Sequence, residues 1–200
     1  MHNSEKLSPE QGNSLINLAR KTIADRLNLD EDSPGRKTAI STEAGLHTST
    51  LQEKRGTFVT LKIKGQLRGC MGCLTPTETT LEGVQRNAIN AAFNDPRFPA
   101  LTAEELEQAD IEVSILTEPQ VLEYTDGDNL IAKLQPNVDG VILKQGYSRA
   151  TFLPQVWEQL PRTEDFLAHL CRKAGLPDDA WQSGKLEVST YQVQYFHEHK

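Results

Sequence analysis

The side chains of this chain best suited to chemistry on a small molecule are one cysteine, one aspartate and two arginines. Cys70 sits in Gln66-Leu67-Arg68-Gly69-Cys70-Met71-Gly72-Cys73-Leu74, and Asp95 and Arg97 sit in Asn94-Asp95-Pro96-Arg97-Phe98-Pro99. A thiolate is a nucleophile and a carboxylate carries protons, so Cys70 and Asp95 are the candidate catalytic residues. Arg68 and Arg97 suit a carboxylate or phosphate through their planar forks, and Gly69 and Gly72 suggest close backbone approach or a bulge. These four are the candidate substrate-binding residues, and the set describes a site for a small anionic ligand. Each also has a plainer use. A free cysteine between glycines is most often a small buried hydrophobe, and Arg97 can be spent on Asp95 or on the carbonyls ending a helix.

Metal and redox chemistry find less support. Cys70 and Cys73 have dithiol spacing, but a redox pair normally starts at a helix N-terminus, and residues three apart on a strand face opposite ways. Structural zinc needs four ligands; His169 and Cys171 are two apart on a helix, about 200° around its axis. No metal and no cofactor are expected. His47 is the one mid-chain candidate for a base, and it reads as a loop residue. His197 and His199 fall in a terminal tail and are expected to contribute nothing.

The elements that must position these residues follow from periodicity. Val59, Leu61 and Ile63 alternate with Thr60, Lys62 and Lys64, the pattern of a half-buried strand. A turn at Lys64-Gly65 or Gly65-Gln66 sends it back as a hairpin, and the returning strand Leu67–Met71 puts Arg68 and Cys70 on one face. Ser8, Pro9 and Gln11 form a capping box ahead of the stripe Leu15, Leu18, Ala19, Ile23 and Leu27. Thr79 and Glu82 start a second amphipathic helix that ends near Asn94, because Pro96 steers Asp95 out of the helical region. Thr102 with Glu105 starts a short helix, and Ile111, Val113 and Ile115 mark a strand. A second hairpin turns at Gln145-Gly146, Pro154 opens a helix with Trp157 as a core residue, and Thr163 caps another. Leu186 and Val188 are out of phase with Tyr191, Val193 and Tyr195, which suggests one strand bulged near Ser189-Thr190. Residues 1–7 are expected to be a disordered tail and Thr38–Glu53 irregular. Strands, hairpins and interspersed helices give an α+β fold with antiparallel sheets flanked by helices.

The motif carries a resemblance as well. Arg55–Leu61 followed by Gly65–Gly72 resembles the signature of the AMMECR domain family, whose hallmark Leu-Arg-Gly-Cys-Ile-Gly is matched here with Met71 in the isoleucine place. The likeness continues through Ala91–Pro99, Ile111–Leu116, Val138–Val141 and Leu153–Val156 to the last strand. It implies one domain over residues 8–197, with a larger sub-domain from both chain ends, a smaller one from the middle, and a cleft near the cysteine motif. Prokaryotic relatives are associated with MEMO-like and radical-SAM proteins, the AmmeMemoRadiSam system, so the resemblance implies those partners.

Composition narrows the classes. With 21 basic and 28 acidic residues the net charge is −7, the wrong sign for a nucleic-acid partner. No run approaches the ~18 apolar residues of a membrane span. Three cysteines, an odd count, fit a reducing compartment, so a cytoplasmic location is expected. Two function classes remain. One is an enzyme acting on a small anionic substrate beside Arg68 and Cys70; the other is a non-catalytic binding or adaptor protein in which Arg68-Gly69-Cys70 is architectural.

Overall fold

The computed structural model describes residues 6–30, 32–34 and 48–198. The chain divides into two compact units. The larger joins both chain ends, running up to Leu116 and resuming at Gln194; the smaller is Thr117–Val193.

The larger unit is a four-stranded sheet with helices on one face. Helix α1 (Pro9–Arg26) starts at Ser8, where the capping box forms as the sequence requires. Strands β1 (Thr57–Ile63) and β2 (Gln66–Cys73) make the hairpin, and β3 (Ala109–Leu116) and β8 (Val193–His197) complete the order β2-β1-β3-β8. Lys64 and Gly65 both have positive φ, the two-residue turn whose twist matches its strands. Leu15, Ala19 and Ile23 of α1 and Val84 and Ala88 of α3 (Thr80–Ile89) are sealed against Val59, Leu61, Ile111 and Val113. After α3 the chain makes a π-helical turn, Asn90–Asn94, before Asp95 becomes extended ahead of Pro96. A short α2 (Ser49–Gln52) lies within the stretch expected to be irregular; most of that stretch, with His47, lies outside the described residues.

The smaller unit has its own core. Strands β4 (Gln120–Val121), β5 (Gly140–Gln145), β6 (Ser148–Phe152) and β7 (Glu187–Tyr191) form a sheet in the order β4-β7-β5-β6. Its apolar residues Val141, Leu143 and Val188 pack with Phe166, Leu167 and Leu170 of α6 (Thr163–Lys173). Trp157, fully buried on a 3₁₀ turn, stacks on Phe166 at 3.7 Å and donates its indole N–H to the Asp139 carbonyl at 2.8 Å. The remaining helices are α4 (Ala103–Gln108) of the larger unit and α5 (Gly127–Lys133) of the smaller.

Three local expectations need correction. The phase flip near Ser189-Thr190 marks a change of sheet, not a bulge: β7 ends at Tyr191, and β8 begins at Val193 in the other sheet. Thr163 is the first residue of α6 rather than its cap, which is Arg162 and makes no side-chain capping bond. Leu7, placed by expectation in a disordered tail, is buried, and its backbone exchanges hydrogen bonds with the Gln194 side chain; residues 1–5 lie outside the described residues.

A buried ion pair fastens the C-terminal strand. Arg20 donates to both Glu198 oxygens and to the carbonyls of Leu106 and Ala109, while Ile111 N–H also reaches Glu198. Removing one member of a buried pair leaves the other charge uncompensated. Glu198→Ala is therefore expected to cost about 3 kcal/mol in denaturant unfolding, several times the effect of Lys21→Ala in the exposed Lys21–Asp25 pair.

Candidate functional site

The cysteine motif lies on β2, an edge strand, and three devices fit that edge to its surroundings. The first is a bulge. Gly69 pairs with Leu61 and Leu67 with Lys62, so Arg68 is the extra residue between them. The alternation breaks there, and Arg68 and Cys70 no longer share a face as the unbulged strand would have it. The Arg68 side chain, nine-tenths buried, forks onto Glu105 of α4 (Nε–Oε1 2.9 Å, Nη2–Oε2 2.8 Å) and onto the Pro99 carbonyl at 2.9 Å. Its Nη1 is buried and has no hydrogen-bond partner among the described residues. Glu105 holds its place because it also closes the α4 capping box with Thr102.

The second device is close packing. A Cβ on Gly69 would stand 2.1 Å from the Ala91 carbonyl oxygen, in the π-helical turn. Only glycine lets β2 run that close to the turn. Gly72 serves the other face, where the Phe58 ring lies across it.

The third device is electrostatic. Asp95 Oδ2 accepts the outward Cys70 N–H at 2.9 Å, and Arg97 Nη2 donates to the Cys70 carbonyl at 3.3 Å. Asp95 and Arg97 are themselves paired, Nε to Oδ1 at 2.9 Å and Nη2 to Oδ2 at 2.7 Å. Asp95 is buried, and the Arg97 guanidinium together with the Cys70 and Arg97 N–H groups holds its carboxyl far below the usual aspartate range. A carboxyl held so low is a weak proton acceptor at neutral pH. Arg97 carries the converse upward shift from the same pair. The half-buried Phe98 ring has both guanidinium carbons near it, Arg68 at 5.8 Å and Arg97 at 5.5 Å.

The Cys70 thiol is left on the face opposite the helical core. Thr60, its partner on β1, donates its hydroxyl to Sγ at 3.3 Å. Thr60 also pairs with Glu112 on β3, and buried Glu112 accepts from Lys62 Nζ at 2.9 Å and meets His197 Nδ1 of β8 at 3.2 Å. The sheet thus carries a polar row of Cys70, Thr60, Glu112 and His197, one residue per strand. Sequence reading missed this row. Thr60 and Glu112 occupy polar positions of an alternating pattern, which reads as solvent-facing, yet both are buried. Nothing in the local sequence marks His197, dismissed as tail. Cys73 bonds the Thr75 carbonyl from the face opposite Cys70, and all three cysteines are free. Among the described residues no group of histidine, cysteine and carboxylate side chains is arranged to hold a metal ion.

With this geometry in place the comparisons with known proteins are informative. The AMMECR1 family model matches residues 16–196. The chain belongs to the AMMECR1 family. A protein of Methanothermobacter thermautotrophicus is 36% identical over 203 residues, covering 96% of each chain. One from Methanosarcina acetivorans is 41% identical over 197 residues, covering 96% of this chain and 94% of its own. The crystal structure of the uncharacterised protein PH0010 from Pyrococcus horikoshii superposes with a TM-score of 0.79 at 34% identity, over 98% of this chain and 95% of that one. The α+β class with antiparallel sheets holds in that relative too. No helix among the described residues is long and apolar enough to cross a membrane.

Two predictions follow from the edge of β2. Gly69→Ala is expected to cost about 3 kcal/mol by overpacking against Ala91 backbone, whereas Gly65→Ala, with open space and only a positive φ to satisfy, costs about 1 kcal/mol in the same unfolding assay. Because the folded Asp95 carboxyl titrates below its unfolded value, its contribution is fully present above the ordinary aspartate range near ~3.9 and fades as pH falls well below it. Acid unfolding curves should therefore be steeper for the wild type than for Asp95→Asn in that acidic window.

Proposed function

We propose that the protein is an enzyme acting on a small anionic substrate, with Cys70 Sγ as nucleophile and Arg68 as anchor for the anionic group. The Cys70 thiol carries the reading: it is half-buried, free, and accepts from the Thr60 hydroxyl at 3.3 Å, while Arg68 Nη1 is a buried donor with no acceptor among the described residues. An unpaired buried donor costs about 1–3 kcal/mol, and an anionic group brought to Nη1 would offset that cost. Gly69 and Gly72 then set the backbone, while Asp95 and Arg97 act as positioning residues that fix the Cys70 peptide. The family resemblance adds MEMO-like and radical-SAM proteins as partners in a shared pathway in the cytoplasm.

The second reading is an adaptor with an architectural motif. The observation in its favour is that both arginine forks are already occupied by internal carboxylates, Glu105 and Asp95.

Native-state labelling of Cys70 by iodoacetamide, read by peptide mass with Cys73 as internal reference, decides between them. The enzyme reading expects labelling of the folded protein and slowing by inorganic phosphate or malonate. Arg68→Lys should weaken that protection about tenfold, the equivalent of ~1.4 kcal/mol of anion binding. Labelling only on unfolding would leave the adaptor reading standing alone.

A further inference from the structure

The smaller unit keeps a buried carboxylate that neither reading of the cysteine motif uses. Asp139 stands in Val138-Asp139-Gly140-Val141, one of the stretches that carry the family resemblance, and only 6% of it is exposed. Its Oδ2 accepts the Gln135 N–H at 2.8 Å, and its own N–H returns to the Gln135 carbonyl at 3.0 Å. The two residues thereby close the turn that leads from α5 into β5. The Asp139 carbonyl takes the Trp157 indole N–H.

Closing that turn takes one neutral acceptor. An asparagine oxygen would serve as well, so the charge and the second oxygen, Oδ1, are surplus to the fold. Among the described residues Oδ1 has no hydrogen-bond partner, and no lysine, arginine or histidine pairs with the carboxylate. A charge buried in this way costs free energy until a partner offsets it. Burial accordingly pushes the Asp139 carboxyl up from the ordinary aspartate value, against the downward pull of the Gln135 N–H. The group is still within reach of solvent, because the turn it closes, Gln135 to Val138, is exposed along its whole length.

We propose that Asp139 is a binding point for the ammonium group of a small organic amine, which donates an N–H to Oδ1 and balances the carboxylate charge. An amine suits the place better than a metal ion. A divalent cation of the oxygen-seeking kind takes about six ligands, and among the described residues no group of histidine, cysteine and carboxylate side chains is arranged to hold one. The net charge of −7 also favours the approach of cations. The ligand is opposite in charge to the anion proposed beside Cys70, and this site does not depend on that reading.

Trp157 reports on the site, because its indole N–H is bonded to the Asp139 carbonyl, and Trp181 is the internal reference. The full-length protein, isotope-labelled at its tryptophan indoles, is titrated by NMR at neutral pH with methylammonium chloride. Tetramethylammonium chloride supplies the same charge without an N–H, and sodium chloride controls for ionic strength. Methylammonium is expected to shift the Trp157 indole signal saturably and leave Trp181 in place. Tetramethylammonium should bind about tenfold more weakly, the worth of one hydrogen bond to a charged group. Asp139→Asn keeps an acceptor for Gln135 and should lose the methylammonium response with its Trp157 signal still that of the folded protein. In the wild type the response should fade as pH falls through the raised range of the carboxyl, since protonation removes the charge. No saturable shift, equal affinity for the two cations, or an unchanged response in Asp139→Asn overturns the inference. If Asp139→Asn does not fold, the wild-type pH series decides, and a response that persists undiminished into acid overturns it.

Discussion

The Asp95 carboxylate does for the edge of β2 what a neighbouring strand would otherwise do. An edge strand presents outward N–H and C=O groups that must be satisfied. At Cys70 the N–H is met by Asp95 and the carbonyl by Arg97, two residues that hold each other in a bidentate pair. Their placement depends on Pro96, which ends the preceding helix, and on the π-helical turn that brings Ala91 over Gly69. π-Helical turns recur at functional sites because they shift the residues that follow. Here the shift delivers Asp95 to the cysteine.

Buried charges organise the rest of the larger unit. Arg20 with Glu198 fastens the last strand, and Arg68 with Glu105 fastens the bulge of β2 to α4. Each cation also takes main-chain carbonyls, Leu106 and Ala109 for Arg20, Pro99 for Arg68. Such pairs do little for net stability over a well-packed apolar substitute, yet each is costly to break from one side. They specify position. The result is a cysteine motif whose other groups are nearly all engaged, leaving the thiol and one guanidinium nitrogen.

The polar row across the sheet shows why that thiol is not in an ordinary core. Thr60 and Glu112 are buried but fully occupied, Thr60 with the Cys70 sulfur and Glu112 with Lys62 and His197. A family member with the same sheet must either satisfy these groups with one another or pay desolvation for each. Here Thr60 is met by the Cys70 sulfur and Glu112 by Lys62 and His197, so Cys70 stands at the edge of a polar row rather than in apolar space.

Much of this was legible in the residues themselves. Capping boxes at Ser8, Thr79 and Thr102 formed as written, because a cap is a bond between residues three apart and needs no distant partner. The β1–β2 hairpin and the helix stop before Pro96 are equally local. What escaped was decided by chain segments far apart in sequence. A bulge is one of two alternatives that Gly69 and Gly72 offer, but its place at Arg68 is set by the register of β2 on β1. The phase flip read as a bulge near Ser189-Thr190 exists because the chain leaves one sheet after Tyr191 and enters the other at Val193. Whether Arg68 faces a ligand or Glu105, whether Asp95 carries protons or holds an amide, and whether His197 is tail or partner of Glu112 are all questions of long-range pairing. Local propensity names the residues that can do chemistry; only tertiary structure decides which of their atoms remain free to do it.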